Sequence, residues 1–256
     1  MPSYLNDLGL LCALGQGKQA VADALFAGDA SGMQQHSGWL TEGSLTLEAV
    51  NAELPAMPIG MQAAHSRNNQ LLLAAALQIE DSIRAAIARF GPARVAVLIG
   101  TSTSGIDEAS QSIGHFVEHG TLPTDYHYAQ QEIAAPAQFL SDWLGLTGPS
   151  YCLSTACTSS ARALLSAHRL LQQGLCDAVL CGGADSLCGL TINGFNALEA
   201  VSRERCNPFS RNRNGINIGE GAALFLLTRE PLNAQSAAIA LLGGGASSDA
   251  YHISAP

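Results

Sequence analysis

The stretch Tyr151–Asp185, YCLSTACTSSARALLSAHRLLQQGLCDAVLCGGAD, decides the fold. Tyr151–Thr155 reads as a short strand. Ala161–Gln173 reads as a helix, with Leu164, Leu165, His168 and Leu171 at i, i+1, i+4 and i+7, and Gly174 stops it. Ala178–Cys181 is a second apolar strand, followed by Gly182 and Gly183. Strand, helix and strand within about thirty residues make a βαβ unit. The sequence therefore predicts an α/β protein.

The same alternation continues upstream. Asn69–Phe90 carries Leu72, Leu73, Ala76, Ile79, Ile83, Ala86 and Ile87 at helical spacing and ends at Gly91-Pro92. Arg94–Gly100 is a continuous apolar run of the kind buried on both faces of a parallel sheet. A polar loop, Thr101–Gly105, follows it. Tyr4–Gly15 reads as a strand entering a turn, Lys18–Ala27 as a short helix, and residues 28–60 as loops with small elements. Ala129–Leu144 reads as helical, and Ala222–Leu227 and Ile239–Leu242 as late strands.

The chain has 256 residues, 47 % of them hydrophobic and only 13 % charged, with 26 glycines. That excludes a disordered chain and allows a large buried core. The formal net charge is −9, so a nucleic-acid binder is not expected. Arg203, Arg205, Arg211 and Arg213 nevertheless cluster. They suit either a loop held by arginine bonds to backbone carbonyls or a local site for an anion or acidic partner. The longest apolar run, Leu71–Leu77, is too short to span a membrane. No basic region precedes the apolar Leu8–Leu14 and the cysteine count, seven, is odd, so free thiols in a reducing cytoplasm are expected. No C-x-x-C pair occurs. His115 and His119 are four apart but lack an acidic ligand motif, and no metal is expected.

One cysteine stands apart. Cys157 lies in Ser154-Thr155-Ala156-Cys157-Thr158-Ser159-Ser160, between the Tyr151 strand and the Ala161 helix. A strand-to-helix turn places the sulfur at a helix's positive end, where free amides favour a thiolate and can face a developing oxyanion. The bland alternative is a small buried hydrophobe. That reading suits the other six cysteines.

These residues carry a resemblance. Thr155-Ala156-Cys157-Thr158-Ser159, preceded by Gly148-Pro149-Ser150, resembles the nucleophile region of the β-ketoacyl-acyl-carrier-protein synthases. Cys181-Gly182-Gly183-Ala184-Asp185 resembles the family's A-G-G-A-[ED] strand end. Gly194-Phe195, Ala197-Leu198 and Ser202 resemble its G-F-x-x-x-x-A-L-S stretch with small shifts. Pro208–Gly215 resembles P-F-D-x-x-R-D-G, Gly219–Ala222 matches G-E-G-A, and Ser247–His252 matches S-S-D-A-Y-H. The blocks occur in order along the chain.

The resemblance implies a thiolase-like α/β fold, a mixed sheet layered with helices. Residues 1–256 would be the N-terminal half of the duplicated architecture, with the catalytic histidines and lysine in a C-terminal half outside this chain. It implies decarboxylative Claisen condensation: Cys157 accepts an acyl chain from an acyl carrier protein and malonyl carrier protein extends it. The pathway would be fatty-acid, polyketide or aryl-polyene-type biosynthesis. No cofactor is implied beyond the carrier's phosphopantetheine. Partners implied are the carrier protein, the C-terminal half, and a homodimer mate or a related synthase or chain-length factor, paired near the nucleophile strand. Thr103 is the best match to the residue gating the acyl pocket, and Phe195 would line that pocket. Ser66-Arg67-Asn68-Asn69 stands for the family's Arg-Lys-Met-Asp, leaving Arg67 as the carrier-protein contact. Ser210 and Asn214 replace aspartates of the pattern, which hints at a specialised synthase.

Three rival readings remain. One is a non-catalytic partner subunit of the chain-length-factor type, against which Cys157 argues. Another is an unrelated cysteine hydrolase, for which His168 lies about 16 Å along the helix axis from Cys157. A dinucleotide-binding protein is the third, but Gly215, Gly219 and Gly221 do not form G-x-G-x-x-G.

Overall fold

The computed structural model describes residues 2–232 and 238–247. Its strands are β1 (Ser3–Cys12), β2 (Gly15–Gln16), β3 (Met33–Ser37), β4 (Ser44–Glu48), β5 (Val95–Gly100), β6 (Ser150–Leu153), β7 (Ala178–Asp185), β8 (Ile218–Gly219), β9 (Gly221–Thr228) and β10 (Ile239–Leu241). Its α-helices are α1 (Lys18–Ala27), α2 (Arg67–Leu77), α3 (Glu80–Phe90), α4 (Ile106–His119), α5 (Ala135–Leu144), α6 (Ser159–Gln172) and α7 (Gly189–Ala197). From Ser248 on, the S-S-D-A-Y-H block and its His252 lie outside the described residues.

The large sheet runs β10-β1-β9-β7-β5-β6, with β2 beside β1. Strands β6, β5 and β7 are mutually parallel; β9 is antiparallel to β7, and β1 to β9. The sheet is therefore mixed. Every residue of β5 is buried, because both of its faces are covered. Val95, Val97 and Ile99 pack with α2 and α5 residues such as Leu72, Ala76, Phe139 and Leu140. Ala96 and Leu98 face the other way, onto Ala163, Ala167 and Leu171 of α6. The result is three layers, helix, sheet and helix. A separate small sheet, β3-β4-β8, packs Leu45, Leu47 and Ile218 against Leu187 and Ile192.

Three local readings need correction. The Asn69–Phe90 periodicity covers two helices, broken at Gln78 and Ile79. The Gln78 side chain accepts from the Leu10 amide at 3.1 Å and donates to the Leu10 carbonyl at 3.1 Å, tying the break to β1. Strand β7 runs through Gly182 and Gly183 to Asp185, where the glycines suggested its end. Ala129–Leu144 holds a 3-10 turn at Tyr128–Gln131 before α5.

Candidate active site

Chain direction places the chemistry at the carboxyl ends of β5, β6 and β7, where loops of an open α/β sheet usually build sites. After β6 the chain turns within five residues into α6. Ala156 takes a left-handed φ of +52°, which costs a non-glycine residue about 1–2 kcal/mol. Neighbouring hydroxyls hold it there. Ser159 Oγ accepts the Thr155 amide at 2.9 Å and donates to the Ala156 carbonyl at 2.6 Å; Thr158 Oγ donates to the Thr155 carbonyl at 2.8 Å. The run of small hydroxyl residues is thus the local cause of the turn.

Helix α6 begins at Ser159, two residues earlier than periodicity suggested, so Cys157 immediately precedes its Thr158 cap. The first full helical bond runs from the Arg162 amide to the Thr158 carbonyl. Among the described residues, the Ser160 and Ala161 amides consequently have no backbone acceptor. Cys157 itself is exposed. Among the other thiols, burial pushes Cys152 and Cys176 up to about 11 and raises Cys181 as well.

Two glycines seat this turn on the sheet. A Cβ on Gly100 would stand 2.4 Å from the Ser159 carbonyl carbon and the Ser160 nitrogen. One on Gly183 would stand 1.9 Å from Ser160 Oγ. Only bare backbone on β5 and β7 lets the first turn of α6 come this close.

Cys157 opens into a cleft of about 740 Å³. Thr103 and Phe195, both singled out from sequence, line the same cleft, with Leu190, Leu198 and Ile218 adding apolar wall. Asp185 sits at its polar side. Its Oδ1 accepts from the Ser102 amide at 2.7 Å, the Thr103 amide at 3.1 Å, and the Thr101 and Thr103 hydroxyls at 3.1 and 3.0 Å. No histidine lines the cleft among the described residues. His168 Nδ1 instead pairs with Ser3 Oγ at 2.9 Å, so the histidine that the cysteine-hydrolase reading would use is engaged away from Cys157. His115 and His119 stack at 4.3 Å, and each Nδ1 meets a backbone carbonyl. Among the described residues no group of three or more His, Cys, Asp or Glu is placed to hold a metal.

Arg67 has an internal task. Its Nε and Nη2 donate to Glu220 at 2.7 and 2.5 Å, and Nη2 also reaches the Val50 carbonyl at 3.2 Å. The Glu220 side chain is fully buried and also accepts the Val50 and Leu187 amides at 2.9 and 3.3 Å. One carboxylate thus joins the start of α2, the chain after β4 and the segment between β7 and α7. The Arg67 side chain remains 41 % exposed, but its Nε and Nη2 edge is occupied. Sequence reading missed Glu220 and Asp185 as organisers. Their partners lie 153 and about 83 positions away. The only local signals were the G-E-G-A block and the C-G-G-A-D strand end.

Fold and site together define an α/β protein of the thiolase-like type, with a cysteine presented on a strand-to-helix turn beside an apolar cleft. The family follows: residues 40–232 match the model for the beta-ketoacyl synthase N-terminal domain, and the chain belongs to that family. It is 32 % identical over 72 % of its length to 3-oxoacyl-[acyl-carrier-protein] synthase 2 of Vibrio harveyi, covering 47 % of that protein. It is also 32 % identical over 64 % of its length to nodulation protein E of Rhizobium meliloti, covering 42 % of it. The chain therefore spans about half the length of the curated relatives it matches. Among solved structures, the ketosynthase ApeO in complex with its chain length factor ApeC, from Xenorhabdus doucetiae, matches all of this chain. The match has a TM-score of 0.92 and 49 % identity and covers 63 % of that chain. A β-ketoacyl synthase from Burkholderia phymatum matches 90 % of this chain and 59 % of its own at a TM-score of 0.75 and 24 % identity, a likeness of fold.

Proposed function

We propose that the intact protein is a 3-oxoacyl-[acyl-carrier-protein] synthase in which Cys157 is the acyl acceptor. The observation that carries this reading is the exposed Cys157 at the amino end of α6, inside an apolar cleft. The Cys157 thiolate attacks the carrier-bound acyl thioester, and the carbonyl oxygen gains charge beside the unpaired amides of the first turn. Collapse expels the phosphopantetheine thiolate and leaves the acyl group on sulfur. A malonyl thioester then loses carbon dioxide, its carbanion attacks the acyl-cysteine, and the Cys157 thiolate leaves. Each step is polar, so the reading needs no cofactor beyond the carrier's own arm. No histidine lines the cleft among the described residues, and the resemblance assigns proton handling at the malonyl group to a second half.

Further features support the expected partners. The exposed residues Arg203, Arg205, Arg211 and Arg213 lie between cleft residues Leu198 and Ile218, and no carboxylate pairs with them among the described residues. They suit an acidic carrier protein better than Arg67 does. Strand β6 pairs only with β5 among the described residues, so its outer edge is open to a related synthase or chain-length factor. No helix among the described residues is long and apolar enough to cross a membrane. We place the protein in the cytoplasm, with its carrier.

The test is condensation by the intact protein supplied with acyl and malonyl carrier proteins. Release of carbon dioxide and a 3-oxoacyl product is expected, with a loss of at least about a thousandfold in Cys157→Ala. Full activity in Cys157→Ala, carried by a cysteine of an associated chain, would make this protein a chain-length-factor-like subunit instead.

A further inference from the structure

We propose that Asp107 of α4 supplies in trans the N-cap that α7 lacks, and through it positions the apolar wall of the cleft beside Cys157. The inference rests on the reading of Cys157 as acyl acceptor. Helix α7 presents Leu190, Thr191, Gly194 and Phe195 to the cleft, one face at i, i+1, i+4 and i+5. Its other side holds little. Ile192 is its one buried residue, seated among Leu45, Leu47 and Leu187, and Asn193 reaches the Trp39 carbonyl at 3.2 Å. Nine residues, GLTINGFNA, with two glycines and two asparagines, are too few and too poor in helix formers to stand alone. What fixes the start of α7 therefore fixes the wall.

Cys188 occupies the cap position. Its backbone is extended, with φ −148° and ψ 149°, as an N-cap residue requires, but its side chain bonds no helix amide. Its Sγ meets Thr191 Oγ1 at 3.0 Å instead. The Gly189 amide, at the first helical position, donates to Asp107 Oδ1 at 3.1 Å, 82 positions away in sequence. Asp107 Oδ2 accepts Gln111 Nε2 at 2.7 Å, which braces the carboxylate from its own helix. The carboxylate thus satisfies an otherwise orphaned amide and sets negative charge at the positive end of α7. Two residues earlier the Leu187 amide bonds Glu220. The approach to α7 hangs on two carboxylates, one buried in the Arg67 knot and one, Asp107, on the neighbouring helix.

The cap can be removed and restored by substitution. Asp107→Ala deletes the acceptor, Asp107→Asn keeps one, and Cys188→Ser places a capping hydroxyl on α7 itself. Two quantities are read on the intact protein by peptide mass spectrometry. One is amide hydrogen exchange over Gly189–Ala197; the other is the ratio of Cys157 alkylation rates by N-dodecyl and N-ethyl iodoacetamide. Asp107→Ala is expected to speed exchange in α7 about fivefold and to lower the long-to-short ratio about three- to tenfold, with the N-ethyl rate and exchange in β5 unchanged. Asp107→Asn should stay within about twofold of wild type, and Cys188→Ser added to Asp107→Ala should return both quantities to that range. A hydroxyl at the cap of α7 would not repair a general loss of packing. Unchanged exchange or an unchanged ratio in Asp107→Ala, an equal loss in Asp107→Asn, or no recovery with Cys188→Ser overturns the cap while leaving Cys157 the acceptor. Failure of both reagents to modify Cys157 in the wild type overturns the acceptor reading, and the role of the wall with it.

Discussion

The two ends of strands β5 and β7 satisfy their polar groups in opposite ways. At the amino end, Arg94 Nε donates to Asp177 Oδ2 at 2.6 Å, and Arg229 holds the other oxygen of the same carboxylate. The two arginines also bond the Gly174, Leu175, Leu171 and Cys176 carbonyls that end α6 and lead into β7. The Asp177 carboxylate is neutralised there and the chain is stitched shut. At the carboxyl end, Asp185 takes hydroxyl and amide donors and, among the described residues, no cation, and Gly100 and Gly183 leave room for α6. One end spends its side chains on closure; the other keeps a thiol, free amides and an open cleft.

The difference is tested most severely at the carboxyl end. Gly100→Ala drives a methyl into backbone atoms of Ser159 and Ser160, which cannot rotate away. We expect a stability loss of about 1–3 kcal/mol and at least a tenfold slower alkylation of Cys157. Gly183→Ala meets the Ser160 hydroxyl first, a group that can turn, and the nearest backbone atom is Gly100 O at 2.8 Å. Its effect should have the same sign and be smaller. Chemical denaturation and timed labelling read both, and the reverse order of effects would break the account of how α6 is seated.

A smaller effect is expected at the amino end. Arg94 and Arg229 hold the Asp177 carboxyl below its ordinary range. A folded-state pKa below the unfolded value gives stability that is present above the unfolded pKa, near about 3.9, and is lost as pH falls through the folded one. Wild-type stability should therefore decline below about pH 4, and Asp177→Asn should flatten that part of the decline. Both arginines are partly exposed, so solvent screening limits the loss at neutral pH to a few degrees in Tm. Alkylation of Cys157 should be unchanged, because the substitution lies at the far end of α6. A slowed Cys157 would blur the distinction between the two ends.

Much of this arrangement is legible along the chain. The β5 run VAVLIG, the spacing in α6 and the small hydroxyl residues around Cys157 are local signals, and each governs local structure. What escapes reading is non-local. The periodicity of Asn69–Phe90 has no sign of a break, because its cause is a bond from Gln78 to a strand 68 positions earlier. Gly182 and Gly183 look like a turn but lie inside β7, since a side chain on Gly183 would strike Ser160 of α6 and one on Gly182 the Ala223 carbonyl of β9. Glu220 reads as a surface charge until Arg67, Val50 and Leu187 converge on it. Arg67, expected to greet a carrier protein, is drawn into that same knot.

The most direct measurement is the site of acylation. The intact protein is incubated with acyl-loaded carrier protein and no malonyl donor, then digested and mapped by mass spectrometry. The account predicts a thioester-linked acyl group on the peptide bearing Cys157, and on no other cysteine. Acyl transfer to a different residue, or none to Cys157 while iodoacetamide still modifies it, would contradict it.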